Sequence, residues 1–257
     1  MRMTKKVISF DIDQTLNVAK TPITPVMAEL LIELLGKYEI APISGQKYEQ
    51  FIIQIVDELK KAGADDEQLA HLHLFVTQGT RYYRFTAGEW ELVYNYDLSD
   101  EQVSKMSAAI EQSAKELGFW EEDKLADGDE IIENRISQVT FSALGQAAGT
   151  EAKYAWDPDM SKRSAIAARA KELALEFEYE VAGTTSINVT LPGTNKSFGM
   201  TKLLECLSVE KSEVLYFGDM TQPGGNDYPV VEMGFDTITV EKWEDTAYAL
   251  RGILGVS

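Results

Sequence analysis

The chain has 257 residues and a formal charge of −18 at pH 7, enough length to bury a core and build one large domain or two small ones. That charge argues against nucleic acid or an anionic membrane as partner, because it repels phosphate backbones and acidic lipid alike. One cysteine excludes an internal disulfide and two histidines leave little for zinc or a histidine triad, so any catalysis runs on carboxylates.

In chain order, the N-terminal MRMTKKVISFDIDQTL is basic but reaches Asp11 after an apolar run too short for a secretion signal. No later stretch approaches a membrane span, which makes a cytoplasmic location the default expectation. KVISFDI has the length of a buried parallel strand. TPITPVMAELLIELLGKY predicts a helix with proline at its start. EIAPISG predicts a second strand ending in a turn, and QKYEQFIIQIVDELKKAG a second helix with Gly63 at its stop. Strand, helix, strand, helix predicts right-handed crossovers and a doubly wound parallel α/β sheet, whose ligands gather at the carboxyl ends of the strands. His71 and His73 are spaced for a strand but read as surface or boundary residues, and Cys206 reads as a small core residue.

The pattern changes near residue 80. TRYYRFTAGEWELVYNYDL predicts a hairpin turning at Ala87 and Gly88. A helix (SDEQVSKMSAAIEQSAKELGF), β-prone EIIENRISQVTFSAL, a helix over about Ser161 to Phe177, and a strand (TTSINVTLP) follow. This predicts an α+β insertion over 82–190 within a core formed by 1–81 and 191–257. In the returning core, SFGMTKLLECL and EDTAYALRGIL read as helices, EVLYFGD and DTITV as strands.

Four elements carry chemistry. FDIDQT sets Asp11, Asp13 and Thr15 directly after a buried strand. A carboxylate attacks phosphorus only when a cation relieves its repulsion and orients it. Asp11 is therefore the candidate nucleophile, with Asp13 two residues on as acid and base. The Asp13 backbone carbonyl would join a hard-oxygen site suited to Mg²⁺. The bland alternative is that these acids cap a turn. ISGQ offers the Ser44 hydroxyl and the Gly45 amide to a phosphoryl oxygen, though Ser-Gly after a strand is also a common turn. GTNKSFGM sets Lys196 ahead of a helix, where its charge would offset that of Asp11 and the phosphoryl oxygens, unless it is a solvated surface lysine. VLYFGDMTQPGGNDYPV delivers Asp219 at a strand end, and its glycines bring Asn226 and Asp227 back beside the site. Two acid-bearing strand ends at opposite ends of one chain favour the functional reading. It depends on Asp11 and Asp219 meeting at one divalent cation.

In this order, Asp11/Asp13/Thr15, Ser44, Lys196, and Asp219 with Asn226/Asp227 resemble the haloacid-dehalogenase (HAD) superfamily, and the insertion resembles its type IIB cap. The whole chain resembles eukaryotic-type phosphomannomutases, most specifically in FGDMTQPGGNDYPV. The resemblance implies a HAD core with a cap domain that selects and closes over substrate. It implies Asp11 as nucleophile, Asp13 as acid/base, and Mg²⁺ held by Asp11, Asp13 and Asp219, with Asp227 in the acidic set. It also implies a phosphorylated sugar as substrate and, by analogy, a homodimer through the cap.

Departures from the family pattern bear on substrate. Gln14 replaces a glycine, and Lys20 sits at a core arginine position. Arg135 keeps one phosphate-gripping arginine of the cap, whereas Gln146 and Lys153 stand where two others are expected. Ser186 keeps a sugar contact and Asn188 replaces an acid. Lysine lacks the bidentate fork and glutamine lacks charge. Weaker anchoring of a distal phosphate places a sugar-phosphate phosphatase first, a hexose-phosphate mutase second, and a non-catalytic phosphosugar-binding protein third.

Overall fold

The computed structural model describes residues 5–256, so the first four residues of the basic N-terminus lie outside the described residues. The chain begins with β1 (Val7–Phe10), α1 (Pro25–Leu35) and β2 (Glu39–Pro42). Helix α2 (Tyr48–Phe51) continues through a π-helical turn (Ile52–Val56) into α3 (Asp57–Lys61), followed by α4 (Asp66–Leu69), β3 (His73–Val76), β4 (Arg81–Thr86) and β5 (Glu89–Asn95). Then come α5 (Asp100–Glu116), β6 (Ile132–Asn134), β7 (Val139–Ser142), α6 (Thr150–Trp156), α7 (Ser161–Leu173), β8 (Glu178–Ala182) and β9 (Ser186–Thr190). The chain finishes with α8 (Lys196–Leu207), β10 (Val214–Gly218), α9 (Tyr228–Glu232), β11 (Asp236–Thr239) and α10 (Trp243–Leu254). These elements form two compact units, Met1–Asn95 with Thr194–Ser257, and Tyr96–Gly193.

The first unit is built on a parallel sheet of order β11-β10-β1-β2. Its strands are covered on both faces, which is why they read as apolar runs. Ile8, Phe10, Ile40 and Phe217 pack with α1, α3 and α10 in one core cluster, while Val7, Ala41, Val214 and Tyr216 pack with α8 in another. Chain order reverses direction between β1 and β10, so the carboxyl ends of these two strands form the topological switch point.

The hairpin expected to open the insertion belongs instead to this first unit. β4 pairs antiparallel with β3 and β5, and Ala87 and Gly88 make the tight turn with positive φ of 52° and 89°. Tyr82 stacks on Phe75 at 4.7 Å, and Phe85 joins the core cluster around Phe10. The expected breaks at 81/82 and 190/191 therefore fall at 95/96 and 193/194.

The second unit is an antiparallel sheet of order β6-β7-β9-β8. Val139, Phe141, Ile187 and Val189 lie in one core cluster with residues of α5 and α7. Alternation puts Thr140, Ser142, Ser186, Asn188 and Thr190 on the opposite, polar face. Three features went unread in the sequence. EIIENRISQVTFSAL is two strands, parted by a turn with Ile136 at φ 72°; α6 precedes α7; and β8 follows it.

Two further expectations are corrected. His73 is a buried strand residue, joined to Tyr82 Oη at 2.7 Å and Glu39 Oε2 at 2.7 Å. Cys206 lies on the exposed face of α8. Among the described residues no helix is long and apolar enough to cross a membrane.

Candidate active site

Asp11 and Asp219 each follow the last residue of a central strand, and the adjacency of β1 and β10 brings them together. The Asp11 amide donates to Phe217 O at 2.9 Å, locking one strand end to the other. Asp227 returns through the 220–226 loop, its amide donating to Met220 O at 3.1 Å. That return requires glycine at two places. A Cβ on Gly225 would lie 2.0 Å from Met220 O, and one on Gly218 would lie 2.6 Å from Asp227 Oδ2. Asp11, Asp219 and Asp227 each offer an oxygen, all within 4.8 Å of one another.

Lys196 is the first residue of α8 rather than a residue ahead of it. Asn195 caps the helix, accepting from the Ser197 amide at 2.9 Å. The buried Lys196 Nζ donates to Asp11 Oδ1 at 2.5 Å and to Asp227 Oδ1 at 2.5 Å. Tyr216 Oη donates to the same Asp227 oxygen at 2.5 Å, and the Met220 amide donates to Asp227 Oδ2 at 2.9 Å. Both oxygens of Asp227 are thus engaged by the protein.

The proton affinities divide accordingly. Burial pushes Asp11 well above the ordinary carboxylate range, and the charges of Asp227 and Asp219 add to this against the opposing pull of Lys196. Burial and the charge of Asp227 push Asp219 up to about 6. Asp227 resists its own burial and is held below the usual range by Lys196, Tyr216 and the Met220 amide. Burial disfavours the Lys196 charge, but Asp11 and Asp227 outweigh it and raise the ammonium's affinity for its proton. Burial and Asp227 push the Tyr216 phenol well above its usual value. Asp11 and Asp219 are short of positive charge, and the Asn226 side-chain oxygen one residue before Asp227 is buried without a hydrogen-bond partner. This is a hard-oxygen donor set that fits a divalent cation.

The other expected residues of the first unit occupy neighbouring loops. Asp13 Oδ1 accepts from the Lys20 amide at 2.8 Å and from Gln46 Nε2 at 3.1 Å. The Lys20 side chain is exposed on a backbone of φ 63°. Thr15 is fully buried, with its hydroxyl lacking a partner. Ser44 is buried after β2, its hydroxyl accepting from the Gln46 amide at 3.3 Å, and Gly45 lies between them.

A turn over Thr77, Gln78 and Gly79, with successive φ of 47°, 61° and 82°, braces this loop. Thr77 and Gln78 amides donate to Gln46 O at 3.0 Å and Ser44 O at 2.8 Å. The same turn meets α8 where Gly79 and Gly199 leave no room for a side chain; a Cβ on Gly79 would lie 2.3 Å from Gly199 Cα. One brace therefore fixes both the Ser44 loop and the helix that starts with Lys196.

The remaining expected contacts all lie in the second unit. Arg135 Nε donates to Glu133 at 2.8 Å. Buried Lys153 donates to Gln146 O at 2.7 Å, and Gln146 Nε2 donates to Ser142 Oγ at 3.0 Å, which meets Ser186 Oγ at 3.0 Å. Asn188 Oδ1 accepts from Gln138 at 2.8 Å and Thr140 at 3.1 Å.

Sequence reading missed Tyr216, Gln46 and the Gly79–Gly199 contact. Tyr216 carried one usable signal, a phenol on a strand buried on both faces, which requires a hydrogen-bond partner.

Comparison with known proteins agrees with this geometry. Residues 27–256 match the family model described as eukaryotic phosphomannomutase. A probable phosphomannomutase of Caenorhabditis elegans is 24% identical over 259 residues, covering 97% of this chain and 96% of the relative. Among solved structures, IMP-bound Plasmodium falciparum IMP-nucleotidase superposes with a TM-score of 0.71 at 16% identity, covering 99% of this chain and 69% of that one. A haloacid dehalogenase-like hydrolase from Bacteroides thetaiotaomicron gives 0.63 at 16% identity, with 97% and 100% covered. These two show the fold, a HAD-like α/β core with an inserted α+β segment. With nearly its whole length matched, the chain belongs to the eukaryotic phosphomannomutase family.

Proposed function

We propose that this enzyme transfers a phosphoryl group of a hexose phosphate through an aspartyl-phosphate on Asp11, and that it acts as a mutase between 1- and 6-phosphates. The observation that carries the reading is Asp11 at a strand end, held by buried Lys196 and facing Asp219. Asp11 attacks phosphorus while Lys196 offsets the charge that gathers on its carboxylate and on the phosphoryl oxygens. Asp13 gives its proton to the leaving oxygen and takes one back from the incoming hydroxyl. Thr15, Ser44, the Gly45 amide and the Asn226 side-chain amide N–H hold the phosphoryl oxygens, and the unpartnered buried Thr15 hydroxyl, a donor, supports that assignment. Asp11, Asp219 and the Asp13 carbonyl, backed by Asp227, would hold Mg²⁺, which when bound supplies charge neutralisation and orientation of the phosphoryl group.

The sequence reading put hydrolysis first; membership of a mutase family reverses that order. Hydrolysis stays as a second reading for a specific reason. The two cap cations nearest the role of distal-phosphate grips, Arg135 and Lys153, are engaged within their own unit by Glu133 and Gln146 O. A phosphorylated sugar is the substrate class on either reading, and pairing of two copies through the second unit is proposed only from the family analogy.

Mannose 1-phosphate, with Mg²⁺ and with or without a hexose bisphosphate activator, separates the two when both free phosphate and positional isomers are scored. Isomer formation abolished in Asp11→Asn supports the mutase, and phosphate release alone supports hydrolysis. A wild-type protein that does neither across a sugar-phosphate panel, yet is thermally stabilised by the sugars, overturns both in favour of a binding protein.

A further inference from the structure

Gln46 lies two residues past Ser44, outside the residues that sequence motifs single out. It is only 6% exposed. Its backbone is fixed from both sides, the amide donating to Ser44 Oγ at 3.3 Å and the carbonyl accepting from the Thr77 amide at 3.0 Å. Its side chain reaches Asp13, Nε2 donating to Oδ1 at 3.1 Å, where the Lys20 amide also donates at 2.8 Å. The amide cannot be turned over without setting Oε1 against a carboxylate, so Asp13 fixes its orientation. Gln46 Oε1 is then left buried with no hydrogen-bond partner. A buried amide whose oxygen finds no partner in the protein is unfavourable, and packing alone gives no reason to keep one here.

We propose that Gln46 is a positioning residue for Asp13, an inference that rests on the phosphoryl-transfer reading above. With two donors committed to Oδ1, only Oδ2 is left to carry the mobile proton, and the carboxyl group is held in one rotation about its Cβ–Cγ bond. As the Asp11 oxygen bonds to phosphorus and the bridging P–O bond breaks, the Oδ2 proton passes to the bridging oxygen. The substrate leaves as a neutral alcohol and Asp13 remains as carboxylate. A sugar oxygen is too basic to leave without that proton, whereas a nitrophenolate leaves readily as an anion. Loss of Gln46 should therefore be felt in proportion to the basicity of the leaving group.

The test compares Gln46→Ala and the volume-keeping Gln46→Met with wild type, on a hexose 6-phosphate and on p-nitrophenyl phosphate, under saturating Mg²⁺. The expected result is a fall in kcat on the hexose phosphate at least about tenfold greater than the fall on the aryl phosphate, with little change in either KM. Equal losses on both substrates, or no loss on either, overturn the inference. Thermal unfolding of both variants identifies any that misfold, and the better-folded one decides. Asp11→Asn assayed alongside keeps the failures apart. Retained aryl-phosphate turnover there overturns the phosphoryl-transfer reading itself, while its loss combined with equal Gln46 effects overturns only the role of Gln46.

Discussion

Lys196→Met removes one charge from the most buried ionic cluster of the first unit while keeping most of the side-chain volume. Lys196 is 1% exposed and its ammonium makes two 2.5 Å contacts, to Asp11 and Asp227. Deleting one partner of a buried pair leaves the other charge unpaired, which costs about 3–5 kcal/mol. In a chain of this size each kcal/mol moves Tm by about 2–4 °C, so the variant should melt roughly 6–20 °C lower in EDTA. Turnover should fall by roughly 10²–10³, the scale for losing one preorganised electrostatic group. The effect of the cation runs the opposite way. Three carboxylates and one lysine carry a formal −2; without the lysine they carry −3, so Mg²⁺ should stabilise the variant more than the wild type. Thermal unfolding of both proteins in EDTA and across a Mg²⁺ titration, with turnover measured in parallel, reads all three effects. Equal melting in EDTA, or a smaller Mg²⁺ shift in the variant, would refute the electrostatic account.

Gly218→Ala should lower turnover more than tenfold and stability by about 1–3 kcal/mol, because its methyl would displace Asp227 from Lys196. Gly252→Ala on α10, where a Cβ meets nothing within 4 Å, is the matched control and should gain up to about 1 kcal/mol in denaturant unfolding. Gln14→Gly relieves a side chain held at φ 66°; after the entropy lost by glycine, a net gain below about 1 kcal/mol is expected, and a measured loss would show that the Gln14 side chain makes up for its strain. Glu39 is raised by burial but held below its usual 4.5 by hydrogen bonds from His73 and His71. A lowered carboxyl contributes stability above its unfolded value that is lost as pH falls through the folded value. Glu39→Gln should therefore flatten the decline of Tm below about pH 4.5 relative to wild type, and parallel Tm curves would contradict this.

The meeting of the carboxylates at the candidate site was legible in the sequence because it falls where periodicity ends. Asp11 and Asp219 each terminate an apolar run of strand length, and parallel topology alone brings such ends together. The domain border was not legible. The alternation of residues 81–95 marks a hairpin but says nothing about which sheet the hairpin joins, and only the pairing of β4 with β3 decides it. The α6 helix and β8 were missed because they are short, and their placement is settled by contacts within the second unit. The cap residues show the same limit. Arg135 and Lys153 were found as cations, but whether a cation is available depends on partners such as Glu133 and Gln146 O. Gly79 and Gly199 touch across more than a hundred residues, a constraint that no local pattern contains.

The four ionic groups do not share charge evenly, and this determines what Asp11 can do. Tyr216 and the Met220 amide add their donors to Asp227 and to no other acid of the cluster, so Asp227 settles as a carboxylate while sharing Lys196 with Asp11. One ammonium thus serves two carboxylates at equal distance, so Asp11 does not receive a full unit of charge from it. Asp11 and Asp219 remain, the first buried, the second half-buried and both raised, with a combined formal charge of −2 when ionised. On the proposed mechanism Asp11 in that state would hold its proton too tightly to attack phosphorus well, and a second positive charge at the shared oxygens would lower both acids at once. Asp219→Asn should thus make Asp11 easier to ionise in EDTA while weakening Mg²⁺ binding. Its Tm in EDTA should rise above wild type even as turnover falls, and a variant less stable than wild type in EDTA would show that the hydrogen bond between the two acids outweighs their repulsion.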